Sequence, residues 1–399
     1  MQLTRKFILG LCTLGTLLFF IGCGGGAPAA TSPSPERINF AGIGAHGIFD
    51  PSLARDPASG RIWMSYSAVD PSVLWPTQNV NVVATRLAYS DDNGKTWTGS
   101  STGPIISNYL DVTLALAKPN DAGTWVNEVS QLVYDPKAVA GERWKILWHH
   151  YLTINNIRHF EHGWLAMKAA STPEGLAAAT EVKLFAGYLY DTGNNTAGGG
   201  SQSPVGGAPQ LQLDTALDPA LNNCVFSEPG MYASASALYL SLQCVKITSL
   251  SPLAISDHPI VLLKCSGSCT TGSNWSYVGT VLNDSNAAAI GYDTGFSASN
   301  LFESAGSIYL VATPVQTSGA PWPDYYSGCR VYRFSNIDSA LLETSGSQPT
   351  LIGSVNGTAG SFNGACAYNA SANMSGMLYS EAKTSVTDVF RIYMSHKNF

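Results

Sequence analysis

An all-β chain folded as a ring of repeated four-stranded sheets is what the sequence predicts, on three observations. Short alternating or apolar runs recur between clusters of Gly, Pro, Asn and Asp. These runs group into units of roughly 60–80 residues that rhyme with one another. Charged residues are only 12 % of the 399, too few for the polar faces of long amphipathic helices.

The first unit runs from Asp50 to about Ser107, with strands at Pro51–Arg55, Arg61–Val69 and Val82–Tyr89 and a turn after them. The second holds Val129–Asp135, Trp144–Leu152, Trp164–Ser171 and Glu181–Ala186. The third holds Gly230–Ala235, Ala237–Val245, Pro259–Cys265 and Trp275–Leu282. The fourth holds Phe296–Glu303, Ser307–Pro314, Cys329–Phe334 and Leu351–Val355. The last has Cys366–Ala372, Met377–Ala382 and Val389–Ser395 and lacks an evident fourth strand. Residues Glu36 to Gly42 are available to supply it, which would close the ring and remove its open edges. The pattern therefore predicts one β-propeller of five four-stranded antiparallel blades, with six blades as the second choice. Two stacked sandwiches explain the rhyme less well. Gly187–Asn223, rich in Gly, Asn, Ser and Pro, interrupts the pattern between the second and third units. A stretch this long without strands is usually functional or disordered, and here it could drape over the mouth of the ring.

The turn in the first unit reads Ser90-Asp91-Asp92-Asn93-Gly94-Lys95-Thr96-Trp97. Gly94 can take a positive φ without steric cost. Asp92 and Asn93 can bond backbone N–H groups that the turn leaves over. Trp97 adds a large apolar body. The spacing S-x-D-x-G-x-T-W resembles the Asp box, the repeated turn of sialidases and related β-propellers. That resemblance implies the fold rather than the chemistry, since the box lies away from the active-site mouth in that family. It also keeps six blades in view, the commonest number among sialidases. A worn copy of its end, Gly272-Ser273-Asn274-Trp275, occurs in the third unit.

The N-terminus reads as a targeting segment. Arg5 and Lys6 precede an apolar run, Phe7 to Ile21, that is short for a membrane span. Phe20-Ile21-Gly22-Cys23, followed by three glycines, resembles a bacterial lipoprotein processing site. The resemblance implies a signal peptide over 1–22, an acylated Cys23, a flexible tether over 23–36 and a propeller over 37–399. The alternative is an ordinary signal peptide with a chance cysteine. Six further cysteines remain: Cys224, Cys244, Cys265, Cys269, Cys329 and Cys366. An even number in an exported chain implies disulfides, and six allow fifteen pairings. Proximity favours Cys224–Cys244, Cys265–Cys269 and Cys329–Cys366. The net charge of −6 offers no basic face for nucleic acid.

Propellers take ligands at the axial mouth, beside the innermost strand of each blade. A carboxylate recurs at matching positions, just ahead of the first strand, in three consecutive units: Asp50-Pro51, Glu128-Val129 and Glu228-Pro229. This resembles the five-bladed arabinanase–xylosidase and invertase-like glycosidases. The resemblance implies Asp50 as nucleophile or base, Glu228 as acid and Glu128 as modulator. The chemistry needs one ionised carboxylate and one that keeps its proton for the leaving oxygen. The competing reading has all three bonding turn backbones. Sialic acid is not the expected substrate: the Arg-Ile-Pro motif of sialidases is missing at Arg37-Ile38, and Arg330, Arg333 and Arg391 fall inside strands.

Trp75, Trp322, Tyr325 and Tyr326, with His46 just ahead of Asp50, form the candidate sugar-binding set. Aromatic rings can cover the apolar face of a pyranose, although any one of them could instead pack between blades. No cofactor and no metal site are assigned, and a structural calcium, which the resemblance allows, has no identifiable ligands here. The expectation is thus a lipid-anchored envelope protein, on the periplasmic or surface side, that hydrolyses an extracellular glycan. Its alternative is a propeller that binds carbohydrate or protein without turnover.

Overall fold

The structure, a computed structural model, describes residues 34–41, 47–69, 83–107, 109–111, 123–154, 157–188, 209–250, 253–316, 326–358, 361–369, 376–382 and 390–399. Two short strands, β1 (Glu36–Arg37) and β2 (Asn39–Ala41), come first. Blade one is β3 (Gly47–Arg55), β4 (Ile62–Val69), β5 (Val83–Ser90) and β6 (Thr96–Gly99). Blade two is β7 (Gly123–Tyr134), β8 (Trp144–Ile154), β9 (Ile157–Ala170) and β10 (Val182–Ala186). Blade three is β11 (Cys224–Ala233), β12 (Leu238–Leu250), β13 (Ile260–Cys265) and β14 (Trp275–Leu282). Blade four is β15 (Phe296–Ser304), β16 (Ser307–Pro314), β17 (Cys329–Asn336) and β18 (Leu351–Val355). Blade five is β19 (Phe362–Asn369), β20 (Gly376–Ala382) and β21 (Phe390–Ser395).

The fourth strand of blade five comes from the N-terminal side, within the Glu36–Gly42 stretch available for it. Glu36 and Arg37 of β1 pair antiparallel with Met394 and Tyr393 of β21. The chain then crosses to blade one, where β2 pairs parallel with β6. One further pair, Phe390 to Gly47, joins the two blades into a continuous sheet. Gly47 is required at that seam, because a Cβ there would lie 2.8 Å from the Phe390 backbone and side chain.

The apolar core is divided by the ring. Separate buried clusters fill the interfaces between blades one and two (Trp63, Trp144, Trp148), two and three (Leu147, Phe185, Leu240), three and four (Tyr239, Leu262, Tyr332), four and five (Val311, Val331, Tyr379) and five and one (Met64, Trp97, Ile392). Among the described residues, five such interfaces close a ring of five blades rather than six and leave no pair of stacked sandwiches. Strands buried on both faces explain the near-continuous apolar runs, such as β4, whose eight residues are all buried. The three disulfides pair as proximity suggested. Cys224–Cys244 lies within blade three, Cys265–Cys269 closes the end of β13, and Cys329–Cys366 ties blade four to blade five.

The Ser90–Trp97 turn sits at the end of blade one opposite Gly47 and is held by its own side chains. Ser90 Oγ accepts from the Gly94 N–H at 2.7 Å, and Asp92 accepts from the Thr96 N–H and hydroxyl at 2.9 and 2.6 Å. The buried Trp97 donates its indole N–H to the Gly94 carbonyl at 3.1 Å. In the third unit Trp275 donates its indole N–H to the Cys269 carbonyl at 3.0 Å, six residues back rather than three, so the worn copy closes on the disulfide loop and not on its own Gly272. Asn369 of blade five donates to the Asn93 carbonyl at 3.1 Å and links the turn to the neighbouring blade.

Candidate active site

Each inner strand carries a β-bulge at the same place, and the bulges build the site. Two inner-strand residues face one partner residue at Asp50-Pro51, Val129-Ser130, Glu228-Pro229, Ala298-Ser299 and Ala365-Cys366. The first residue of each pair has a positive φ: 51°, 54°, 51°, 44° and 50° in order. None is glycine, and each costs about 1–2 kcal/mol of backbone strain. The strain recurs in blades without a carboxylate, so it belongs to the architecture, and the chemistry rides on it. Proline suits the second bulge position because it has no N–H to offer the ladder.

This geometry corrects two expectations. Asp50, Glu128 and Glu228 do not precede the inner strands; they lie inside them, because the strands pair on both sides of the bulge. Moreover, the three do not occupy matching positions. Asp50 and Glu228 are equivalent, but their counterpart in blade two is Val129, and Glu128 stands one residue earlier.

The bulge N–H groups are tied across blade boundaries. Asp50 N–H donates to Ser380 Oγ at 2.9 Å, Val129 N–H to Ser67 Oγ at 3.4 Å and Ala365 N–H to Thr313 Oγ1 at 3.0 Å. In each case the hydroxyl comes from the second strand of the preceding blade. The equivalent positions in blades two and three hold His149 and Gln243. Ser67 also donates its proton to Asp50 Oδ2 at 3.2 Å.

The structure brings the three carboxylates into one electrostatic cluster. Asp50 is buried, with 7 % of its surface exposed, while Glu128 and Glu228 are half-buried. Burial raises the Asp50 pKa well above its ordinary 3.8, and the charges of Glu228 and Glu128 raise it further. The Ser67 hydroxyl and the Val129 N–H oppose that shift. The balance of these effects favours a proton on Asp50.

Blade two supplies further polar groups. On β8, His149 and His150 face opposite ways, as strand alternation predicts. His150 stacks on Trp125 at 4.7 Å and bonds Asn127 Oδ1 through Nδ1 at 2.6 Å. Burial pushes its pKa down to about 3, so it is neutral. The His149 ring lies 4.8 Å from Tyr151, whose hydroxyl donates to Glu128 Oε1 at 2.5 Å.

Of the aromatic set, Trp75, Trp322, Tyr325 and His46 lie outside the described residues, as does Cys23. Tyr326 is half-buried and packs edge-on against Phe362 of β19 at 4.8 Å, between blades four and five. Arg330 donates to the Tyr292 hydroxyl at 2.6 Å, and Arg333 pairs with Glu343 at 2.6 Å. Among the described residues, no group of three or more His, Cys, Asp or Glu side chains is placed to hold a metal ion.

No protein-family model matches the chain, and no curated protein does. Solved structures similar to it include a thermostable family-43 glycoside hydrolase, at 12 % identity over 87 % of this chain and 88 % of that one, with a TM-score of 0.47. Another is a family-117 glycoside hydrolase from the marine bacterium Zobellia galactanivorans, at 10 % identity over 91 % and 90 %, TM-score 0.48. A third is a beta-fructofuranosidase from Bombyx mori, a mutant in complex with sucrose, at 10 % identity over 90 % of this chain, TM-score 0.46. The chain covers 61 % of that enzyme's length. None of these TM-scores reaches 0.5, so the five-bladed architecture rests on the strand pairing, and the chemistry must rest on the site's own residues.

Proposed function

We propose that the chain is a glycoside hydrolase whose catalytic set is Asp50 and Glu228, with Glu128 as modulator. The observation that carries this reading is that Asp50 and Glu228 stand at equivalent inner-strand bulges of different blades, close enough, with Glu128, for their charges to act on the buried Asp50. Glycosidic bond cleavage needs one carboxyl that keeps its proton and one that is ionised, and neighbouring acids that disfavour one another's charge suit that division. The acid gives its proton to the glycosidic oxygen as the C1–O bond breaks, and the sugar alcohol leaves. At the anomeric carbon the ionised partner either takes a proton from the attacking water or attacks directly, forming a glycosyl ester that water then hydrolyses with the first residue acting as base.

Glu228 acts as the acid in this reading and Asp50 as nucleophile or base. Burial favours the proton on Asp50, so these roles require substrate binding to move it to Glu228. A panel of aryl furanosides and pyranosides tests both the activity and the roles. Glu228→Gln is expected to keep hydrolysis of a 2,4-dinitrophenyl glycoside, whose leaving group needs no proton. The same variant should lose about 10²–10⁴-fold on the natural glycan. Retention of dinitrophenyl hydrolysis by Asp50→Asn instead would exchange the two roles. Saturable glycan binding with no turnover in any form would make the chain a binding propeller.

The protein is also proposed to be exported and held to a bacterial membrane by acylation of Cys23, acting on a glycan outside the cytoplasm. The support is the charged, apolar and small-residue order around Phe20–Gly26. In a bacterial host fed an alkyne fatty acid, the wild-type chain should take up label and Cys23→Ser should take up none. Equal labelling of the two, or none in the wild type, would leave an ordinary signal peptide.

A further inference from the structure

Glu128 is held by a side chain outside the three-carboxylate set. Tyr151 is almost fully buried, 2 % exposed, and its hydroxyl lies 2.5 Å from Glu128 Oε1. A phenol gives up its proton near pH 10 and a glutamate near 4.3, so the tyrosine is the donor and the carboxylate the acceptor. Hydrogen bonds to an ionised oxygen are short and strong, and more so where water is excluded. Strand alternation puts Tyr151 on the His149 face of β8, and His149 pairs in register with Glu128 across the ladder. His150 and Trp148 are engaged elsewhere, both with Asn127 Oδ1.

Several ionisable groups stand on the strands packed against β7, among them Lys145 of β8, which pairs with Asp135 at the far end of the blade. Asp50 is on β3, Glu228 on β11, and His149 and Tyr151 on β8. On β4, Tyr66 packs edge-on against Phe40. On β5, Tyr89 lies against Trp63 and Arg61, and Arg86 is exposed. Tyr151 donates to Glu128, beside two further acids.

We propose that Tyr151 is a positioning residue whose hydroxyl clamps Glu128 in its ionised form next to the Asp50–Glu228 pair. The proposal rests on the reading of these three acids as the catalytic set. Through Glu128, the clamp keeps a fixed negative charge beside Asp50 and so governs which acid of the cluster holds the proton. A tyrosine that merely fills space would have no such effect.

The test is a carboxyl ¹³C NMR titration of the full chain labelled in Asp and Glu, for wild type, Tyr151→Phe and Glu128→Gln. In Tyr151→Phe the Glu128 carboxyl should titrate about one to two pH units higher, the size of a lost charge-assisted bond. Asp50 should titrate lower, because the neighbouring charge is weakened. Glu128→Gln should lower Asp50 in the same way without touching the tyrosine, and it serves if the phenylalanine variant folds poorly. Unmoved Glu128 and Asp50 titrations in Tyr151→Phe, or an unmoved Asp50 in Glu128→Gln, would overturn the proposal. On an active glycoside, the kcat profile of Tyr151→Phe should move with Asp50 while KM stays put. If no glycoside is turned over, the functional reading fails, and the titration still decides the clamp.

Discussion

Asp50→Asn is expected to abolish turnover while making the protein more stable at neutral pH. The loss in kcat should be on the order of 10²–10⁴-fold, as for removal of a general base or acid. The gain follows from linkage. The folded-state pKa of Asp50 is raised above its unfolded value of 3.8, chiefly by burial and then by Glu228 and Glu128. Between those two values the folded state binds more protons than the unfolded one, so stability falls as pH rises through the window. Asparagine carries no charge to bury and is spared that loss. It also keeps the backbone N–H that Ser380 accepts. The Tm of Asp50→Asn should therefore exceed that of wild type at pH 7, and the difference should vanish below about pH 4, where both side chains are neutral. A Tm difference that does not depend on pH would show that Asp50 is ionised at no cost, and the cluster would not be coupled.

The largest loss of stability is expected at a site with no part in the chemistry. At the far end of blade two, Lys145 Nζ lies 3.1 Å from Asp135 Oδ2 and 2.6 Å from the Glu142 carbonyl, with both side chains buried. Burial lowers the Lys145 pKa, and the Asp135 charge works against that shift. Asp135→Ala leaves an ammonium ion in the packing with one neutral acceptor and should cost about 3–5 kcal/mol. It also removes the Asp135 carboxylate that accepts from the Lys137 N–H. The sign with pH is opposite to that of Asp50. A lysine whose folded pKa lies below 10.5 destabilises the fold while charged, so the variant should recover as pH rises toward 10.5. Urea unfolding of Asp135→Ala, Lys145→Met and the double variant measures this. The double variant should regain most of the loss, and equal deficits in all three would mean that lost packing dominates.

The carboxylates show where reading a sequence in strands reaches its limit. Asp50-Pro51 and Glu228-Pro229 were recognisable as candidates, and both stand at equivalent bulges. Their place inside a strand was not recognisable, because a bulge breaks the two-residue alternation on which strand detection depends. An acid–proline pair within an otherwise strand-like run was the available signal, since proline inside a sheet is confined to edges and bulges. Glu128 looked equivalent to the other two because it also precedes a strand-like run, and only the register with His149 displaces it by one residue. Tyr151 carried no mark among eighteen tyrosines. Its role follows from the alternation that separates His149 from His150, once the partner across the ladder is known.

Local chemistry was enough for much else. The Ser90–Trp97 turn needs only its own side chains to close, so its spacing reveals its geometry. The disulfides join cysteines near in sequence, apart from Cys329–Cys366, whose two strands lie in successive blades. The all-β class follows from turn residues and a shortage of charge, and the borrowed fourth strand of blade five follows from counting strands per unit. All of these are properties of short stretches or of composition, which the chain determines by itself. The number of blades, the bulge register and the meeting of Asp50, Glu128 and Glu228 depend on how far apart segments pack. Ring closure decided them, because the packing of blade on blade is what brings inner strands from different blades together.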